Sequence, residues 1–274
     1  MPNVVNSRRP EFPGSIFVAV RTGGVGKTLL AQVLQFCLSE TFGFDIPMVS
    51  LDAADEKSTS KLKKVLPQTQ DIRFAPSMSD LMRDPSVSVG HFDQVAALMA
   101  KGGHLFDFGA NVSPVLFSWV EHSGIGAFYG RLLPITLVVP VVAHAQSIGD
   151  AIATIEDAWK FGEYLPVKKI VVVYNGRDGK FGSGLDGFAK LKAMEAMGGR
   201  HAAVTSIELP RLLSEVWKPS QDRHLSLFDI LNASPQSLSE QFDLTIMAAG
   251  RGRRDIKEWL AEAGAAFGAA GLIS

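Results

Sequence analysis

Cysteine is almost absent from this 274-residue chain, where Cys37 stands alone. A single thiol excludes an internal disulfide and any multi-cysteine metal site. It fits a reducing compartment without requiring one. The six histidines are scattered with no H-x-x-x-H pair, so they are not read as metal ligands. No G-x-S-x-G nucleophile elbow occurs. An excess of one charge is lacking too: Lys and Arg total 27, Asp and Glu 28, for a net charge of -1. That argues against a generally basic nucleic-acid binder and leaves only local basic patches open. Long apolar runs are missing as well. The most apolar stretch, 132–145, is broken by Pro134 and Pro140. It falls short of the roughly 20 residues that a membrane-spanning helix needs. The early apolar stretch 15–20 is too short for a signal-peptide core and leads into glycines. The expectation is a cytoplasmic protein with no transmembrane segment.

What is present is a folding chain, because 46% of residues are hydrophobic and 20% charged. Residues 1–14 carry three prolines, two arginines and no periodicity, and read as a flexible leader. Residues 15–274 read as a single domain with a helical C-terminal tail. Short apolar runs at 16–20, 48–52, 71–75, 104–108, 135–142, 169–174 and 203–208 predict strands. Several are unbroken runs of Val, Ile, Leu and Phe, which suits strands covered on both faces. Between them, helical patterns fall at 28–40, 92–101, 112–122, 147–161 and 185–197. Further helical segments follow at 211–216, 225–231 and 237–267. This alternation predicts an α/β fold with a doubly wound, mostly parallel sheet and helices on both faces. Ligands of such sheets bind at the carboxyl ends of the strands.

The most informative segment is Phe17-Val-Ala-Val-Arg-Thr-Gly-Gly-Val-Gly-Lys-Thr28. An apolar strand ends, a glycine-rich turn follows, and Gly26-Lys27-Thr28 opens an amphipathic helix that continues through Leu29. Gly23, Gly24 and Gly26 let the backbone around Val25 wrap closely, so its N–H groups aim at phosphate oxygens. The helix N-terminus adds partial positive charge. Lys27 can reach the β- and γ-phosphates, and the Thr28 hydroxyl can ligate Mg²⁺. The general phosphate-loop pattern wants glycine where this chain has Arg21, so the general form is incomplete.

Gly23-Gly-Val-Gly-Lys-Thr28 resembles the deviant Walker A loop of the ParA/MinD family of P-loop ATPases, and three later segments follow in the family's order. Val49-Ser-Leu-Asp-Ala-Ala-Asp55 resembles the strand whose closing aspartate positions the attacking water. Asp52 is the better match and Asp55 the reserve, with a helix cap or turn aspartate as the plainer reading. His104-Leu-Phe-Asp-Phe-Gly-Ala-Asn111 resembles a Walker B strand. The resemblance gives Asp107 the Mg²⁺ and sets Gly109 near the γ-phosphate. Ile170-Val-Val-Val-Tyr-Asn175 ends in an asparagine that, in the family, reads the adenine edge; a turn asparagine before Gly176 is the competing account. Glu208-Leu-Pro210 resembles a later strand end near the base.

The resemblance implies ATP and Mg²⁺ as ligands, ATP hydrolysis, a nucleotide-dependent homodimer and a protein partner, in partition, DNA transfer or positioning. An N-K-x-D box is absent after Asn175, which favours ATP over GTP. Nucleotide-sensing segments are expected at 52–60 and 107–114. The family's signature lysine, which crosses the dimer to the partner's phosphates, is here Thr22. Either Arg21 substitutes for it or the contact across the dimer is lost. The alternatives are therefore a nucleotide-binding scaffold that hydrolyses little and, third, a small-molecule kinase or ligase.

Other signals are weaker. Gly124 to Gly130 nearly spells a dinucleotide loop, but Tyr129 takes the third glycine position, so it reads as a loop. Cys37 sits on an apolar helix face and reads as core. Lys57, Lys61, Lys63 and Lys64 form one basic cluster; Arg251, Arg253 and Arg254, placed before the last helix, form another. Both read as solvated faces, with nonspecific DNA contact as the alternative. The tail 255–274 lacks the contrast of a membrane-surface helix and is expected to dock on the body or a partner.

Overall fold

The computed structural model describes residues 14–52, 58–73, 87–197 and 202–273. The strands are β1 Ser15–Val18, β2 Met48–Leu51, β3 Gln70–Asp71, β4 His104–Phe108, β5 Ile135–Val142, β6 Val167–Asn175 and β7 Ala203–Leu209. They form one sheet ordered β3-β2-β4-β1-β5-β6-β7, and every neighbouring pair is parallel. The helices are α1 Lys27–Phe42, α2 Lys61–Val65, α3 Val87–Lys101, α4 Val112–His122 and α5 Ala145–Lys160. After them come α6 Phe188–Glu195, α7 Trp217–Asp222, α8 Leu227–Asn232, α9 Pro235–Phe242 and α10 Ile246–Ala269. The doubly wound parallel sheet expected from the sequence is present.

Unbroken apolar strands make sense here because alternate residues feed two separate cores. Phe17, Phe106, Leu137 and Val172 point to the face covered by α3 to α6. Their chain neighbours Ile16, Leu105, Val138 and Val171 point to the other face, with α1 and α10. Burying one such side chain fully is worth about 1.5–3 kcal/mol, so two-sided burial outweighs local propensity in holding these strands. Pro140 survives inside β5 for a specific reason. The Val138 carbonyl accepts from Ala19 on the β1 side, so the amide position of Pro140, two residues on, faces the same side. The β1 ladder ends at the Val18–Val138 pair, so the missing N–H interrupts no ladder bond.

The C-terminal segment docks on the body. Ile256, Trp259, Leu260, Ala263 and Phe267 line one buried stripe of α10. The Trp259 indole donates to the Pro210 carbonyl at 2.8 Å, fixing α10 to the end of β7. Cys37, buried on α1, faces Gly264, and burial pushes its thiol up to about 12. It is the core residue the sequence indicated.

Several expectations need correction. Residues 211–216 are not helical; α7 begins at Trp217, after Ser214 has bonded Gly252 of α10. The tail is two helices, α9 and α10, separated where Asp243 takes a left-handed conformation (φ 54°). Arg251, Arg253 and Arg254 lie inside α10, not before it. The segment 185–197 is helical only over α6. The near-dinucleotide glycines form a short 3-10 turn at Ile125–Arg131. Short α2 is an element the sequence reading missed. The leader lies outside the described residues up to residue 13, as do Asp55, Lys57 and residue 274. Among the described residues, no helix is long and apolar enough to cross a membrane.

Candidate functional site

The glycine-rich loop joins the central strand β1 to α1, at the carboxyl edge of the sheet where the strand order turns back on itself. Glycine is required there. Gly24 and Gly26 have φ of 73° and 94°, the left-handed region that other residues rarely adopt. A Cβ on Gly26 would also come within 2.9 Å of the Asn175 amide nitrogen.

Nine of the expected residues line one cavity of about 240 Å³: Gly23, Gly24, Gly26, Lys27, Thr28, Leu29, Asp52, Asp107 and Gly109. They come from the loop and from the ends of β2 and β4, and the Thr28–Asp107 pair joins positions 79 residues apart. Val25 is buried in the core behind them. Besides Phe108 and Ala110 of the β4 segment, Lys61, Arg177 and Gln221 line the same cavity. No sequence motif marks these last three. Arg177 donates to the Gly24 carbonyl at 2.5 Å and forks onto Asp178.

Lys27 is 7% exposed. Its ammonium donates to the Thr22 carbonyl at 2.5 Å and the Val20 carbonyl at 3.3 Å. One of its three protons is left for a ligand. Burial holds its pKa below the ordinary lysine value, against the pull of Asp107 and Asp52. Beside it, the Thr28 hydroxyl donates to Asp107 Oδ2 at 2.9 Å. Asp107 Oδ1 is buried with no partner. Burial pushes the Asp107 carboxyl up to about 7, against the stabilising bond from Thr28. A buried, half-satisfied carboxylate beside a hydroxyl is a hard-oxygen donor set, so these residues fit Mg²⁺. Among the described residues, no cluster of three or more His, Cys, Asp or Glu offers another metal site.

Gly109 and Asp52 are in close contact. A Cβ on Gly109 would meet Asp52 Oδ1 at 2.6 Å and the Leu51 carbonyl at 3.1 Å. The Gly109 amide donates to that same carbonyl. Only glycine lets β4 bring its end beside the Asp52 carboxylate.

Arg21 and Thr22 turn away from the cavity. Arg21 pairs with Asp157 at 2.5 Å, and the Thr22 hydroxyl donates to Asp150. Asp150 and Asp157 are two turns apart on α5, so one face of that helix holds the loop's entry. Asn175 is engaged on both sides: its amide donates to the Val25 carbonyl at 3.2 Å, and its oxygen accepts from the Arg177 N–H at 3.1 Å. Glu208 and Pro210 line a separate cavity of about 500 Å³ with Tyr174 and Lys180. In the second basic cluster, Arg251 pairs with Glu215, Arg254 with Glu258, and Arg253 donates to the Leu231 carbonyl.

No protein-family model matches the sequence, and no curated protein matches it. Solved structures similar to this one include the MinC:MinD cell division protein complex of Aquifex aeolicus (16% identity, 87% of this chain and 95% of that one, TM-score 0.43). A Cyanothece McdA–ATP complex is similar over 92% of this chain and 97% of that one, at 13% identity and a TM-score of 0.40. A plasmid partition protein from Borrelia burgdorferi is similar over 79% of this chain and 97% of that one, at 13% identity and a TM-score of 0.41. All three likenesses are at low sequence identity.

Proposed function

We propose that this chain is an ATP-binding P-loop ATPase of the ParA/MinD type, coupling Mg²⁺-ATP binding and hydrolysis to dimerisation and to a protein partner. The observation that carries the reading is the arrangement of Lys27, Thr28 and Asp107 around a loop of left-handed glycines. The loop's amides and the α1 N-terminus cradle the phosphates. Lys27 turns its remaining proton toward the β- and γ-phosphates. Its two carbonyl bonds fix the ammonium before any ligand arrives, which is what electrostatic preorganisation requires. Thr28 and Asp107 would hold Mg²⁺, which would neutralise phosphate charge when bound. Asp52, held against Gly109, orients a water for attack. Arg177 steadies the loop through the Gly24 carbonyl.

A nucleotide-binding scaffold with little turnover is the second reading, and a specific observation favours it. Thr22 cannot supply the charge of a signature lysine, and Arg21 beside it is committed to Asp157. Phosphate release from Mg²⁺-ATP separates the two. Release that falls at least about tenfold in Asp52→Ala supports the ATPase; tight binding with no release supports the scaffold. The arginines of α10 are engaged within the fold, which leaves the lysines of the first cluster as the candidates for nonspecific DNA contact.

A further inference from the structure

A second cavity, of about 370 Å³, opens beside the phosphate cavity and shares Thr28, Leu29, Lys61 and Gln221 with it. It lies between the first turns of α1, the short helix α2, and α7 with the turn after it. Its volume is in the range of small-molecule sites. Among the described residues, Lys61, Lys64 and His224 line it and no carboxylate does. Among the described residues, neither lysine ammonium has an ion-pair partner. Its apolar wall is Trp217, Val65 and Leu225. One polar group there is built in rather than incidental. Gln32 is 8% exposed and borders the cavity, yet its carboxamide makes no hydrogen bond among the described residues. The carboxamide opens into the cavity, where a polar ligand atom can reach it. At the rim, His224 is held at φ 56°, a conformation that non-glycine residues adopt at a cost.

We propose that this cavity is a second ligand site, for a small anionic molecule with a flat apolar body. Its carboxylate or phosphate group lies against Lys61 and Lys64, its ring on Trp217, and a polar ring substituent on the Gln32 amide. The site stands on its own residues and does not depend on the nucleotide reading. Because Thr28 and Lys61 line both cavities, its occupant lies beside the phosphate cavity.

Pyridoxal 5′-phosphate is a suitable probe, since it carries a ring, an anion and an aldehyde that forms a borohydride-trappable adduct with a nearby lysine. The full chain is labelled, trapped and mapped by mass spectrometry. Lys61 or Lys64 should be labelled about tenfold or more faster than the exposed Lys180 and Lys257, the advantage that roughly 1.4 kcal/mol of local binding gives. The preference should fall to the surface rate in Trp217→Ala and in the near-isosteric Gln32→Leu. It should also fall when phenyl phosphate or benzoate is added in excess; which of the two protects better identifies the preferred anion. Uniform labelling, or a preference that survives both substitutions, would overturn the proposal. Suppression by duplex DNA but not by phenyl phosphate would overturn it in favour of a nucleic-acid surface. Mg²⁺-ATP should shield Lys27, and absence of that shielding alone counts against the nucleotide reading, not against this site.

Discussion

The Thr28 hydroxyl donates to one oxygen of Asp107 at 2.9 Å, while the other oxygen of that carboxylate is buried and unpartnered. The pair joins the first turn of α1 to β4 and leaves one hard-oxygen position open. If that position holds Mg²⁺, the metal should raise ATP affinity through the charge of Asp107. In Asp107→Asn, which keeps the shape but not the charge, the gain in affinity on adding Mg²⁺ should shrink about tenfold or more. Titration of a fluorescent ATP analogue with and without Mg²⁺ reads this directly. An undiminished Mg²⁺ effect would remove Asp107 from the metal site.

Gly109→Ala should be costly, because its Cβ would land 2.6 Å from Asp52 Oδ1 and 3.1 Å from the Leu51 carbonyl. That carbonyl belongs to β2, which is paired on both sides within the sheet. A loss of about 1–3 kcal/mol in denaturant unfolding is expected, as for other overpacked sites. Gly149→Ala is the matching control: it is exposed within α5 with nothing within 4 Å of its Cβ. It should gain up to about 1 kcal/mol from helix propensity.

His104 gives the fold a pH dependence. It is 6% exposed at the start of β4, and burial holds its pKa below the ordinary imidazole value, with Lys101 adding to the effect. The folded state therefore binds fewer protons than the unfolded chain below about pH 6.5. Stability from this residue is complete above that pH and declines as the pH falls toward the lower folded-state value. Urea unfolding of the wild type should weaken from pH 7 to 5, and His104→Phe should flatten that slope. An equal slope in both proteins would show that folding does not lower the pKa of His104.

Much of the sheet was legible because strands buried on both faces must be apolar without alternation, as in Ile135–Val142 and His104–Phe108, whose bounds match the expectation. The tight glycine-rich turn was legible because close backbone wrapping demands glycine at 24 and 26. What escaped was set by tertiary contact. Lys61 looked like surface charge until α2 brought it to the cavity, and Arg177 reaches the loop at Gly24 from 153 positions away. The fate of Arg21 was equally hidden, because Asp157 carries no local mark that it faces the loop. The region 211–216 read as helix, but its residues serve contacts to α10 instead.

The central claim is that backbone amides and the Lys27 ammonium grip a triphosphate, and isothermal calorimetry of Mg²⁺-ATP on the full chain tests it most directly. Bonds from a charged donor are worth about 1.5–3 kcal/mol, so Lys27→Ala should bind roughly ten- to a hundredfold more weakly. The account predicts one saturable site in the wild type and that loss in the variant, with thermal unfolding showing both proteins folded. No heat with folded wild-type protein, or equal affinity in the two, would contradict it.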